Sequence, residues 1–312
     1  MNYLLILDNN ADEYANELRK RSLPDLKLVS LDSADYSNDI IQKINIILGE
    51  PGKIAKVLNH TDKLKWVQSS FAGVESLCKP GLKINYTLTG VKEVFGPLIS
   101  EYVFAYILAF ERNLFELKSN QSNFIWENLP YRSIAGIKIG ICGLGSIGKH
   151  VAKTASYFKM NVTGLKRITG NVENVEQVYA LSDLSKFVSK LDYLVITLPC
   201  TPATKHLINN HILSNMKKSA VIINVGRGSS IVEADLITAL QNKMLRAAVL
   251  DVFEYEPLSV HSPLWKMENV IITPHNSARS FPVDIADIFE DNYLNFINNR
   301  PLKYVVDFTR GY

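Results

Sequence analysis

Three polar side chains in the second half of the chain could do chemistry together: Arg227, Glu256 and His275. Arg227 lies in Asn224-Val225-Gly226-Arg227-Gly228 after the apolar run 221–225, Glu256 closes the turn after the run 247–252, and His275 follows the run 270–273. Taken singly, each has a plain structural explanation: a loop salt bridge, a solvated turn residue beside Pro257, a satisfied histidine after Pro274. As a set they fit one reaction. Hydride arriving at a carbonyl carbon leaves charge on the oxygen, so a proton donor and a fixed cation are needed there. His275 can donate and Arg227 can polarise. A carboxylate at Glu256 would keep the imidazolium available near neutral pH and orient its ring.

The hydride source is suggested by Gly143-Leu144-Gly145-Ser146-Ile147-Gly148, which follows the run 137–142 and precedes Val151, Ala155 and Phe158 on one helical face. In that order of strand, turn and helix, Gly143 permits the tight turn, Gly145 lets the backbone approach a pyrophosphate, and Gly148 allows close helix packing. The helix N-terminus then favours the anion. The six letters alone would fit any glycine-rich turn; the flanking elements are what point to a dinucleotide. Lys166 and Arg167 end the next strand-like run, about eighteen residues beyond Gly148, where the adenosine ribose is expected. Cations there would meet a 2′-phosphate, so NADP(H) is expected over NAD(H), with NAD(H) still open. The plainer reading is that the two cations cover a solvated turn.

These residues require a scaffold of parallel strands. Apolar runs at 3–7, 26–31, 44–48, 65–69 and 84–88 alternate with helix-like stretches, and a second series follows at 137–142, 161–165, 193–198, 221–225, 247–252 and 270–273. Such alternation predicts α/β units with crossover helices. Ile99, Val103, Ile107, Phe110, Leu114 and Leu117 have the spacing of one long helix over 97–117, with Pro97 in its first turn, joining the two series. Residues 119–133 are the least periodic and read as an extended connection. A tail helix over 283–298 and a short run at 303–308 are expected to return to the first domain. The expected division is therefore 1–96 with 283–312 as the substrate domain and 97–282 as the dinucleotide-binding domain, with an interdomain cleft.

Composition narrows the function classes. With 312 residues, 47% hydrophobic and 21% charged, the chain is of ordinary globular type and long enough for two cores. A net charge of +3, without a lysine or arginine block, disfavours nucleic acid as a partner. No window nears the roughly 20 apolar residues of a membrane span. The opening residues 3–7 read as a strand that lacks the flanks of a signal peptide. Cys78, Cys142 and Cys200 form no CxxC pair and have no histidine cluster beside them, so no metal site is expected and a reducing cytoplasm fits.

With these residues in view, the chain resembles the D-isomer-specific 2-hydroxyacid dehydrogenase family, which includes glyoxylate/hydroxypyruvate reductases. The resemblance runs from about Trp66 onward through Ser70-Phe71-Ala72-Gly73-Val74, the glycine loop, Leu198-Pro199-Cys200-Thr201-Pro202, Asn224 to Gly228, Leu250-Asp251-Val252-Phe253, Glu256-Pro257-Leu258 and Thr273-Pro274-His275. It implies two Rossmann-like domains with parallel sheets, the substrate domain flavodoxin-like, and a homodimer through the cofactor domain. Glu256 and His275 become the acid/base pair. Arg227 binds the substrate carboxylate and polarises the carbonyl, with Ala72, Gly73 and Val74 supplying backbone N–H groups to that carboxylate.

The resemblance also implies that Asp251 holds the nicotinamide carboxamide, and that Gly143, Gly145, Ser146, Ile147, Gly148, Leu198, Pro199, Thr204, Val225, Gly226, Arg227 and His275 line the cofactor. Relatives that use NAD often end the second strand of this domain on an acidic residue, and Lys166-Arg167 departs from that pattern. The expected activity is interconversion of 2-keto acids and D-2-hydroxy acids. Glyoxylate, hydroxypyruvate and larger branched or aromatic 2-keto acids are all open as substrates. A corepressor-like NAD(H) sensor of the same family is the alternative from another class, disfavoured because no long disordered tail or basic extension is visible. Phosphoglycerate dehydrogenase is disfavoured because no regulatory domain follows Tyr312.

Overall fold

A computed structural model describes residues 1–30 and 41–311. Leu31, which ends the second predicted strand, and Tyr312, which ends the predicted substrate domain, lie outside the described residues. The chain divides into two compact units, Met1–Val94 with Ser280–Tyr312, and Phe95–Arg279.

In the first unit, strands β1 (Asn2–Leu7), β2 (Leu26–Ser30), β3 (Ile46–Gly49), β4 (Trp66–Ser69) and β5 (Thr87–Thr89) form one sheet in the order β2-β1-β3-β4-β5. Every pairing is parallel, and this is the flavodoxin-like order. β3 and β4 are buried at every position, which is why they read as unbroken apolar runs and not as alternating ones. The last strand starts later than its sequence suggests, because Ile84 is exposed and only residues 87–89 enter the ladder. The C-terminal helix Pro282–Ile297 covers this sheet. Its Phe289 ring stacks on Trp66 at 4.8 Å between centroids, and buried Asn292 donates to Gln68 Oε1 at 3.1 Å. Beyond it the chain runs beside β5, where Val306 N–H donates to the Leu88 carbonyl and Gly90 N–H to that of Tyr304.

The second unit holds a seven-stranded parallel sheet: β6 (Lys138–Cys142), β7 (Asn161–Leu165), β8 (Gln177–Tyr179), β9 (Tyr193–Ile196), β10 (Val221–Asn224), β11 (Ala247–Leu250) and β12 (Val270–Ile272). Their order is β12-β11-β10-β9-β6-β7-β8, the doubly wound arrangement with its switch between β6 and β9. β8 is a partly exposed edge strand of three residues, too short and too polar to stand out in the sequence.

The predicted long helix is two helices, α1 (Phe95–Glu111) and α2 (Leu114–Ser122), both inside this unit. Asn113 separates them by adopting a left-handed φ of 53°, which Asn tolerates better than most residues, and its side-chain amide donates to the Pro130 carbonyl at 2.8 Å. α2 also takes the first residues of the stretch expected to be extended, and it buries no side chain. α1 is anchored at its end by buried Glu111, which accepts from Tyr193 Oη at 2.6 Å and from Arg132 Nε at 2.6 Å. The carboxyl ends of all the parallel strands face one edge of the sheet, and the loops that follow β6, β10, β11 and β12 carry the residues singled out above.

Candidate active site

The glycine loop after β6 leads into helix α3 (Ser146–Tyr157). Gly143 has φ +108°, a conformation that side chains disfavour, and its carbonyl accepts from Thr197 Oγ1 at 2.7 Å. A Cβ on Gly148 would lie 1.9 Å from the Gly143 carbonyl oxygen, so this glycine is required by the turn packing on its own helix. Gly145 is the opposite case: it is exposed, and a Cβ there would meet nothing. The protein's own packing gives no reason for a glycine at 145, whereas a ligand lying against that backbone does. Ser146 and Ile147 open the helix and no side chain caps it, leaving its N–H groups for an anion. These features fit a dinucleotide pyrophosphate.

Lys166 and Arg167 follow β7 and are exposed, and neither side chain has an ion-pair partner among the described residues. On the other side of the switch, Leu198 is buried, and the loop 199–204 is closed by Thr204, whose hydroxyl donates to the Pro199 carbonyl at 2.6 Å and accepts from Thr201 N–H at 2.9 Å. Buried Val225 leads to Gly226, where a Cβ would come within 2.8 Å of the Leu198 backbone. Asn224 shapes the turn that presents Arg227: its Oδ1 accepts from Gly226 N–H at 3.1 Å and its Nδ2 donates to the Arg227 carbonyl at 3.1 Å.

The structure brings Glu256 and His275 into direct contact, with Glu256 Oε2 2.7 Å from His275 Nδ1. Glu256 Oε1 accepts the Phe253 N–H at 2.9 Å, which fixes the carboxylate. The hydrogen bond to Glu256 raises the His275 pKa above its ordinary value, against burial and against the Arg227 charge, which both lower it. Burial would raise the pKa of Glu256, but its bonds to His275 and the Phe253 N–H prevail and hold it below the usual carboxylate value. Each partner thus favours the charged form of the other, an imidazolium against a carboxylate. With Nδ1 occupied, Nε2 is the nitrogen left to act on a substrate. Arg227 acts electrostatically on both members of the pair, so one cation, one proton donor and one carboxylate share this site.

Asp251 is fully buried and its carboxylate is engaged by its own chain. Oδ1 accepts from Thr273 Oγ1 at 2.6 Å and from Asn276 N–H at 2.9 Å, and Oδ2 accepts from Ser277 N–H at 3.1 Å. Its backbone carbonyl receives the His275 N–H at 2.9 Å. His275 itself has φ +52°, an uncommon conformation for a residue with a side chain, held by this ring of bonds. The supporting roles of Asn224, Thr273 and the Phe253 N–H are not evident from residue type. Their only signal is that they stand inside the short motifs that carry the charged residues.

In the first unit, Ala72, Gly73 and Val74 follow β4 in a loop pinned by Ser70 Oγ donating to Asp8 Oδ2 at 2.7 Å and by Ser280 Oγ donating to the Ser70 carbonyl at 2.7 Å. Their N–H groups donate to no acceptor among the described residues.

The chain is similar to proteins of one family. Residues 104–277 match the model of the D-isomer specific 2-hydroxyacid dehydrogenase, NAD binding domain. A solved structure of a D-isomer specific 2-hydroxyacid dehydrogenase family protein from Aeromonas salmonicida is similar with a TM-score of 0.94 and 41% identity, covering 98% of this chain and 99% of that one. The NADPH-dependent glyoxylate/hydroxypyruvate reductase of Sinorhizobium meliloti, solved in complex with NADP and sulfate, superposes with a TM-score of 0.91 at 29% identity over the whole of both chains (100% and 100%). Glyoxylate/hydroxypyruvate reductase A of Escherichia fergusonii is 32% identical over 217 residues, 70% of each chain. The chain belongs to the D-isomer-specific 2-hydroxyacid dehydrogenase family.

Proposed function

We propose that this protein is an NADPH-preferring reductase of small 2-keto acids to 2-hydroxy acids, of D configuration where the product is chiral, with glyoxylate and hydroxypyruvate as the substrates of choice. The observation that carries the reading is the 2.7 Å contact between His275 Nδ1 and Glu256, with Arg227 acting on the same pair. NADPH, when bound, supplies the hydride. His275, protonated because Glu256 holds it so, donates a proton from Nε2 to the carbonyl oxygen as charge develops there. Arg227 steadies that charge and pairs with the substrate carboxylate through charge-assisted bonds. In the substrate domain, the N–H groups of Ala72, Gly73 and Val74, which donate to no acceptor among the described residues, are offered to a carboxylate.

For the cofactor, Gly143, Gly145, Ser146, Ile147 and Gly148 receive the pyrophosphate, and Lys166 and Arg167 the 2′-phosphate. Leu198, Pro199, Thr204, Val225, Gly226 and Asp251 frame the nicotinamide half. The names of the relatives from Sinorhizobium meliloti and Escherichia fergusonii support the substrates, and that of the former, NADPH-dependent, supports the cofactor. Steady-state kinetics on a panel of 2-keto acids with NADPH and NADH tests the proposal. It expects the highest kcat/KM with NADPH and glyoxylate or hydroxypyruvate; equal or better efficiency with NADH overturns the cofactor assignment.

The proposal includes a homodimer in a reducing cytoplasm. α2 leaves Leu114 and Phe115 about half exposed, and the segment after it presents Phe124 and Trp126 almost wholly to solvent. These exposed apolar side chains lie close together in sequence, and such residues, where they form one patch, serve as an interaction surface. Cys78, Cys142 and Cys200 are free thiols.

A further inference from the structure

Tyr102, on α1, carries a contact that the reading above does not use. Its Oη lies 2.6 Å from Thr273 Oγ1, and Thr273 Oγ1 lies 2.6 Å from Asp251 Oδ1. The direction of these bonds follows from proton counting. Thr273 Oγ1 donates to Asp251 Oδ1, so its single proton is spent there, and its lone pair is left to accept from the Tyr102 hydroxyl. The sequence runs Tyr102 to Thr273 to Asp251, donor to acceptor throughout.

What lies at the end of that chain matters for the reaction. Asp251 binds the N–H groups of Asn276 and Ser277 through its carboxylate and the N–H of His275 through its carbonyl, while Thr273 stands two residues before His275. The loop is thus tied on both sides of a histidine held at φ +52°. Burial raises the Tyr102 pKa, despite the bond to Thr273 that lowers it, so the phenol keeps its proton and its donor role across the working pH range. The groups that act on His275 are Glu256, Arg227 and Asp251, and Asp251 is the one that Tyr102 reaches through Thr273.

We infer that Tyr102 is a positioning residue for the acid/base pair: acting through Thr273 and Asp251, it fixes the loop that sets His275 Nδ1 against Glu256. The inference rests on the reading of His275 as the proton donor, and its test is chosen to be separable from that reading. Tyr102→Phe keeps the ring and removes only the donor. Titration of the His275 imidazole by NMR, in the wild type and in the variant, reads the positioning directly and without turnover. The imidazole is expected to titrate at lower pH in the variant, the alkaline limb of keto-acid reduction to move the same way, and kcat to fall about tenfold with NADPH Kd nearly unchanged. In a Thr273→Val background Tyr102→Phe should have little further effect, because the relay is already broken.

A residue that merely packs would lower thermal stability while leaving the imidazole titration where it was. An unmoved titration, or effects of the two substitutions that simply add, overturns the inference. If the titration moves but His275→Asn retains full turnover, the positioning stands and the proposed catalytic role of His275 fails.

Discussion

His275 Nδ1 and Glu256 Oε2 are 2.7 Å apart, and the Glu256 carboxylate is held from its other oxygen by the Phe253 N–H. That relationship favours the charged form of His275 and gives the first prediction its sign. Reduction of a ketone needs the imidazolium, so activity is present below the His275 pKa and is lost as pH rises through it. The hydrogen bond to Glu256 is the main cause of the raised pKa, with burial and Arg227 opposing it. Glu256→Gln removes the charge and leaves the opposing influences, so the alkaline limb of kcat/KM should move to lower pH. A pH–rate profile of the variant checks this, and a limb that stays in place would exclude the pairing as the source of the shift.

The two glycines of the cofactor loop should behave differently on substitution. At Gly148 a methyl group would lie 1.9 Å from the Gly143 carbonyl oxygen, so Gly148→Ala must shift backbone and should lower the thermal midpoint of the protein without ligand by several degrees. At Gly145 a methyl group meets nothing, and the residue has an ordinary φ of −77°. Gly145→Ala should therefore leave the midpoint near the wild-type value and weaken NADPH binding, about tenfold or more. Thermal unfolding and cofactor titration of both variants make the comparison. Intact NADPH affinity in Gly145→Ala would mean that the open space at this position is not where the cofactor lies.

This contrast also indicates how far the sequence could be read. The parallel sheets were legible because β3, β4, β9, β10 and β11 are buried on both faces and so appear as unbroken apolar runs. The short edge strand β8, polar at Gln177, was not, and neither was the break at Asn113, which depends on one backbone conformation inside a continuing apolar pattern. The charged trio Arg227, Glu256 and His275 was legible as chemistry from residue type and from its place after apolar runs. Its support was not, since Tyr102 shares the helical spacing of ordinary core residues and only its 2.6 Å bond to Thr273 sets it apart.

Cofactor choice is tested at the end of β7. Arg167 is exposed, the proposal gives it the 2′-phosphate, and a hydrogen bond to a charged group contributes about 1.5–3 kcal/mol. Arg167→Ala should thus reduce the ratio of kcat/KM for NADPH over NADH by about tenfold or more, mainly through the KM of NADPH. Parallel kinetics with both cofactors at a fixed 2-keto acid give the ratio, and an unchanged ratio would relieve Arg167 of the role.

Arg227 is asked both to hold a carboxylate and to stabilise charge on the reacting oxygen. Its removal in Arg227→Leu should raise the KM for the keto acid and lower kcat together, because the first contact exists in the bound substrate and the second grows only toward the transition state. Initial-rate kinetics separate the two parameters. A rise in KM with kcat untouched would leave Arg227 as a binding residue alone.

The central claim is that His275 donates the proton in NADPH-dependent reduction of a 2-keto acid, and its most direct test is NADPH oxidation by purified wild-type protein and His275→Asn with glyoxylate or hydroxypyruvate. Loss of a general acid typically costs roughly 100- to 10,000-fold, so the account predicts keto-acid-dependent oxidation by the wild type, a fall of that order in kcat for the variant, and NADPH affinity nearly intact. Wild-type turnover by His275→Asn would contradict it.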